Sequence, residues 1–151
     1  FLLFRAGFVL FASVRFLAIV PVALATPRTL SLPGWLSLGL IVITTPPILW
    51  GLFSVLVHFG LTRTFGADHF DPRYRGGKLE RRGIFKYVRN AMYAVVLLGL
   101  YHPGLLLHSR LGLILAAANH LLVWTHYFCT EKPDMQEIYG ERGRGSIPKA
   151  S

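Results

Sequence analysis

The chain has 151 residues, of which 53% are hydrophobic and only 15% charged, and its mean hydropathy is +0.49; a soluble domain normally carries about 25% charged residues. That balance argues against a water-soluble domain and against a disordered, apolar-poor chain, and the lone Cys129 excludes an intrachain disulfide framework or a cysteine-rich metal cluster. The net charge of +9, from 16 Lys+Arg against 7 Asp+Glu, sits beside long uncharged runs, so it reads as membrane orientation and not as a nucleic-acid surface.

The chain opens at Phe1 and not at a methionine, so further residues are expected upstream. Charge-free intervals run over residues 16–27, 29–62, 90–109 and 111–130. A spanning helix needs roughly 20 mostly apolar residues, which predicts spans near 6–25, 34–59, 91–107 and 111–129. The first carries Arg15 near its centre, at an insertion cost of at least about 2.5 kcal/mol, so Arg15 faces protein or water, or the helix sits shallow. In the second, Pro46 and Pro47 follow Thr44 and Thr45, whose hydroxyls are placed to satisfy carbonyls freed by the prolines, and a kink is expected.

Residues 61–90 hold eight Lys/Arg against Asp68, Asp71 and Glu80, whereas the other two connections offer only Arg28 and Arg110. The positive-inside rule places residues 61–90 in the cytoplasm, and four spans then place both termini there. The short turns at 30–34 and 107–110 make two antiparallel hairpins. The expected fold is therefore an all-α integral membrane bundle of about four helices in two hairpins. It forms a single domain over 1–151, with a polar cytoplasmic connection and C-terminal segment.

On the fourth span, His120, Trp124, Tyr127 and Glu131 share a face at 100° per residue. As a plain membrane feature this stripe is an interfacial aromatic belt with one hydrogen-bonded histidine. The third span begins Tyr87-Val88-Arg89-Asn90-Ala91-Met92-Tyr93, with Asn90 a competent N-cap. It enters where the fourth leaves, so Arg89, Asn90 and Tyr93 are expected to face Tyr127 and Glu131 across an inter-helix cavity. The six histidines lack metal-ligand spacing, so no metal is expected. No phosphate loop or nucleophile elbow is present.

Residues 83–93, Gly-Ile-Phe-Lys-Tyr-Val-Arg-Asn-Ala-Met-Tyr, resemble the glycine, aromatic, Arg-(His/Asn)-Pro-x-Tyr signature of integral-membrane methyltransferases, which include phospholipid N-methyltransferases and isoprenylcysteine carboxyl methyltransferases. Residues 131–139, Glu-Lys-Pro-Asp-Met-Gln-Glu-Ile-Tyr, resemble their Glu-Glu-Pro and Glu-Ile-Tyr segment, and residues 64–70, Thr-Phe-Gly-Ala-Asp-His-Phe, their Gly-Asp-Tyr-Phe segment. The resemblance implies S-adenosylmethionine bound at the cytoplasmic end and a membrane lipid acceptor entering sideways from the bilayer, in a bacterial inner membrane or the endoplasmic reticulum. It implies N-methylation of an ethanolamine phospholipid headgroup, with carboxyl methylation of a prenylated cysteine as the alternative. Membrane reductases that bind a nicotinamide dinucleotide share a Tyr-Gly like Tyr139-Gly140, and a non-enzymatic scaffold is the remaining class. Carried onto this chain, the candidate cofactor residues are Gly66, Tyr87, Arg89, Asn90, Tyr93, Tyr127 and Glu131. The candidate catalytic residues are Arg89, Glu131 and His120, the last as a proton acceptor or a packing residue. The chain departs from the pattern at Ala91, where the family has proline, and at Lys132, where it has a second acid. No clean Gly-x-Gly element is present, Gly60 and Gly66 being the nearest glycines.

Overall fold

A computed structural model describes residues 2–59, 82–88 and 90–133, and every regular element among them is helical. Helix is what long apolar runs adopt where no water competes for backbone groups. The first helix, α1, covers Leu2–Ala25, and α2 covers Gly34–Ser54 before widening into a π turn at Val55–Phe59. After a 3₁₀ turn at Gly83–Lys86 the third segment follows: α3 (Ala91–Ala94), a 3₁₀ stretch (Val96–Tyr101) and α4 (His102–Leu106). The last helix, α5, covers Arg110–His126 and ends in a second π turn, Tyr127–Glu131.

The third span is thus not one continuous α-helix. Pro103 has no N–H to give the Gly99 carbonyl, and the His102 N–H takes that carbonyl instead, closing a three-residue turn. The tighter winding has a use in a short span. Six residues rising about 2.0 Å each instead of about 1.5 Å lengthen it by roughly 3 Å.

The prolines of α2 are absorbed without ending the helix. Thr44 Oγ1 donates to the Leu40 carbonyl at 2.7 Å and Thr45 Oγ1 to the Ile41 carbonyl at 2.7 Å. The carbonyls that Pro46 and Pro47 leave are those of Val42 and Ile43, so the threonines bond two residues upstream of the expected acceptors. Thr44 also meets His102 Nε2 at 2.9 Å, which ties α2 to the third segment at mid-span.

The third segment lies at the centre, with α2 on one side and α5 on the other, while α1 packs on α5 and α4. Ile19, Leu100 and Ala116 form the core where α1, the 3₁₀ stretch and α5 meet. Small residues let the backbones approach. A Cβ on Gly104 would lie 2.9 Å from the Leu113 backbone nitrogen, and one on Gly112 3.1 Å from Ala23 Cβ. Leu38, Val42, Leu49, Phe53, Leu111 and Leu121 point outward. Gly34–His58 and Arg110–Thr130 are long and apolar enough to cross a membrane, with 22% and 17% of their apolar windows buried. Helices so little covered are not the core helices of a soluble protein, and such an exterior suits lipid. Arg15 is partly covered by the fold.

Both short turns lie at one end and interlock. Arg28 N–H donates to the Leu107 carbonyl at 2.9 Å and Leu30 N–H to the His108 carbonyl at 2.8 Å. Ser109 Oγ caps α5 by accepting from Gly112 N–H at 3.0 Å and meets Thr26 Oγ1 at 2.8 Å. The ends of α2 and α5 and the start of α3 consequently share the opposite end.

Candidate active site

At that opposite end the chain re-enters at Gly83, whose φ of +59° suits glycine and whose missing side chain leaves room for α2. A Cβ there would lie 2.6 Å from Ser54 Oγ and 2.7 Å from His58 Cδ2. Ser54, fully buried, accepts the next N–H, that of Ile84, at 3.1 Å. The glycine that opens the signature is therefore a docking point on the last turn of α2.

From there the described residues 83–88 and 90–93 cross the end of the bundle. Tyr87, 71% exposed, packs its ring 5.9 Å from Trp50 of α2, with Lys86 Nζ 5.7 Å above it. Asn90 occupies the N-cap of α3, as expected, but its side chain makes no capping bond. One turn on, the Tyr93 ring lies 5.6 Å from Tyr127 and 6.3 Å from Trp124. Trp124 and Tyr127 meet edge to face at 5.7 Å, and Phe128 stacks on Trp124 at 5.5 Å. The two polar clusters anticipated on separate spans thus meet through Tyr93, Trp124 and Tyr127.

His120, deeper on α5, bonds through both ring nitrogens: Nε2 to the Tyr93 carbonyl at 2.8 Å and Nδ1 to the Tyr101 hydroxyl at 3.2 Å. Tyr87 is set apart from the Tyr93 cluster, on the α2 side. Gly66 and Arg89 lie outside the described residues, as does the Glu131 side chain. The Glu131 backbone closes the second π turn. A π turn advances by less than 100° per residue, so the arithmetic that put Glu131 on the His120 face does not hold past His126.

Phe128 was left out of the counted stripe although it follows Trp124, on which it stacks, by four residues; Trp50, Ser54 and His58 were missed because nothing in the sequence of α2 marks its end as the landing point of a segment thirty residues on. Gly83 was the available signal, since a glycine before a turn often marks a close approach. Among the described residues no cluster of potential metal ligands occurs.

Aromatic ring faces attract cations, and in this cluster Tyr93, Trp124 and Tyr127 are half-buried while Phe128 is exposed. The chain's own Lys132 ammonium, four residues on, stands 5.4 Å over Phe128, which is 54% exposed. The cluster offers ring faces, which suit a cation or a flat heterocycle, beside the Asn90 amide, which makes no capping bond.

The phospholipid methyltransferase family model matches residues 34–142. The chain belongs to the phospholipid methyltransferase family. It is 33% identical over 93 residues to a phosphatidylethanolamine N-methyltransferase of Pyricularia oryzae, covering 62% of this chain and 9% of that protein. It is 30% identical over 96 residues to a phosphatidylethanolamine N-methyltransferase of Botryotinia fuckeliana, covering 64% of this chain and 10% of that protein. The chain spans about a tenth of the length of these curated relatives. No solved structure gives a significant match. Within the family match fall the docking glycine, the crossing segment and the aromatic end of α5.

Proposed function

We propose that this chain transfers a methyl group from S-adenosylmethionine to the amine of an ethanolamine phospholipid headgroup at the cytoplasmic face of its membrane. The observation that carries the reading is the crossing of residues 83–93 from Ser54 to the Tyr93, Trp124 and Tyr127 cluster. It brings the family signature against the end of α5 on a bundle with an apolar exterior. The names of the two fungal relatives support the acceptor.

When bound, the cofactor supplies a methyl carbon on a positively charged sulfur, open to in-line displacement by a lone pair. The protein's part is chiefly to position the reactants. Tyr93, Trp124 and Tyr127 hold the cationic end by their ring faces, and Asn90 supplies an amide for its polar groups. Arg89 pairs with its carboxylate or with the lipid phosphate, and Glu131 with its remaining polar groups. Tyr87 and Lys86, exposed beside Trp50, face the acceptor's side, where a phosphate finds a cation. Gly66 is carried into the cofactor-binding set by the family resemblance alone. The amine must lose its proton before it attacks, so turnover falls as pH drops below the acceptor's own pKa.

Expression in a host that lacks methylated phospholipids, followed by lipid mass spectrometry, tests this. New species one, two or three methyl masses above phosphatidylethanolamine are expected. An unchanged lipid profile from protein that binds the cofactor would refute the amine acceptor and favour a carboxylate one.

A further inference from the structure

We propose that His120 is a positioning residue: it clasps the third segment at Tyr93 of α3 and at Tyr101, the last residue of the 3₁₀ stretch, and thereby aims the Tyr93 ring at Trp124 and Tyr127. The inference rests on the reading of that cluster as the cofactor site. A carbonyl can only accept, so the 2.8 Å contact to the Tyr93 oxygen requires a proton on His120 Nε2. In the neutral ring Nδ1 is then the acceptor, and the Tyr101 hydroxyl donates to it at 3.2 Å. Both nitrogens are spent on the protein, which leaves no lone pair for a substrate proton.

The partners are well chosen for a clasp. Tyr93 sits in α3, which ends at Ala94, and Tyr101 is the last residue of the 3₁₀ stretch Val96–Tyr101. A side chain bonded into a helix ladder is a recognised cause of a local break. Between 3₁₀ and α winding the turn per residue differs by about 20°, so six residues relaxing to α would rotate Tyr93 by roughly a third of a turn relative to Tyr101 and shorten the span. That rotation would take the Tyr93 ring off Trp124 and Tyr127. His120 precedes Trp124 by four residues and Tyr127 by seven, so the face of α5 that fixes the Tyr93 backbone also carries the rings that its side chain meets. His120 thus acts with Pro103 on the winding of the third segment and by itself fixes that segment's register on α5.

The test uses the full chain in lipid nanodiscs with Trp35→Phe and Trp50→Phe, leaving Trp124 as the single tryptophan. Trp124 emission, its near-ultraviolet circular dichroism and its quenching by acrylamide are read without ligand, and S-adenosylhomocysteine affinity is read by titration. His120→Leu is expected to change the Trp124 signals and weaken S-adenosylhomocysteine binding about tenfold, one hydrogen bond's worth. His120→Gln, which keeps an N–H for the Tyr93 carbonyl, restores both, and Tyr101→Phe, which releases one arm, falls between. The acid limb of the pH–rate profile survives in His120→Gln. Unchanged Trp124 signals in His120→Leu would overturn the clasp; so would a His120→Gln protein with native Trp124 signals that has lost turnover and the pH limb, because His120 would then be the base. Should His120→Leu not fold, His120→Gln and Tyr101→Phe carry the same comparison, and a Tyr101→Phe protein identical to the parent refutes the clasp. If the Trp124 signals follow expectation while the unsubstituted chain, with all three tryptophans in place, methylates no lipid, the proposed function fails and the clasp stands.

Discussion

Replacing Gly83 by alanine tests whether the signature segment is docked on α2 by that residue. A non-glycine residue at φ +59° carries roughly 1–2 kcal/mol of backbone strain. The new Cβ would also lie 2.6 Å from Ser54 Oγ and 2.7 Å from His58 Cδ2. Ser54 is fully buried and holds the Ile84 N–H, so it cannot swing away without leaving that donor behind, and overpacking of this kind costs roughly 1–3 kcal/mol. The expected loss is about 2–5 kcal/mol, measured by reversible unfolding in mixed micelles, with a matching fall in lipid methylation because residues 83–93 lose their anchor. Gly39→Ala is the control. Nothing lies within 4 Å of its added Cβ, and alanine in a helix interior is favoured by about 0.5–1 kcal/mol. A double-mutant cycle with Ser54→Ala isolates the oxygen contact; only partial relief is expected, because the His58 contact persists. If Gly83→Ala proved as harmless as Gly39→Ala, the docking of the signature on α2 would be wrong.

Further outcomes follow from the same geometry. Gly104→Ala should destabilise by about 1–3 kcal/mol in the micelle assay, because its Cβ meets the Leu113 backbone nitrogen at 2.9 Å and backbone cannot rotate aside. Ser109→Ala removes the cap of α5 and the bond to Thr26, for a loss of about 1–2 kcal/mol in the same measurement. Cys129, the single cysteine and exposed at the aromatic end, should react with an impermeant maleimide in inside-out vesicles, whereas Ser31→Cys in a Cys129→Ser chain should react only in right-side-out ones; labelling of both from one side would contradict the topology. Arg89→Ala and Glu131→Gln should each weaken S-adenosylhomocysteine binding about tenfold in calorimetry while leaving the chain folded; full affinity in both would remove them from the site.

Much of the architecture was legible before any coordinates. Runs without charge can only be buried or face lipid, and there the backbone must be helical, so the helical regions and their approximate limits follow from where Arg28, Arg110 and residues 61–90 interrupt the apolar pattern. Topology then dictates that the third segment begins where the fourth helix ends. Periodicity supplies the face, so Tyr93 meeting Tyr127 was readable from topology and spacing together, and Trp124 joins them one turn earlier on the same face.

Tertiary structure decided the rest, since it turns on departures from regular winding and on which neighbour a helix chooses. The 3₁₀ stretch comes from Pro103 and from partners on α5, which a one-dimensional pattern does not contain. The π turn at Tyr127–Glu131 shifts phase within a few residues and removes the basis for aligning Glu131 by counting. Tyr87 goes to Trp50 and Gly83 to Ser54 because α2, and not α5, lies beneath that part of the crossing. The bonds of His120 are of this kind too. Its place on the stripe could be counted, but only the packed helices show that its two nitrogens reach Tyr93 and Tyr101, residues eight positions apart on a neighbouring segment.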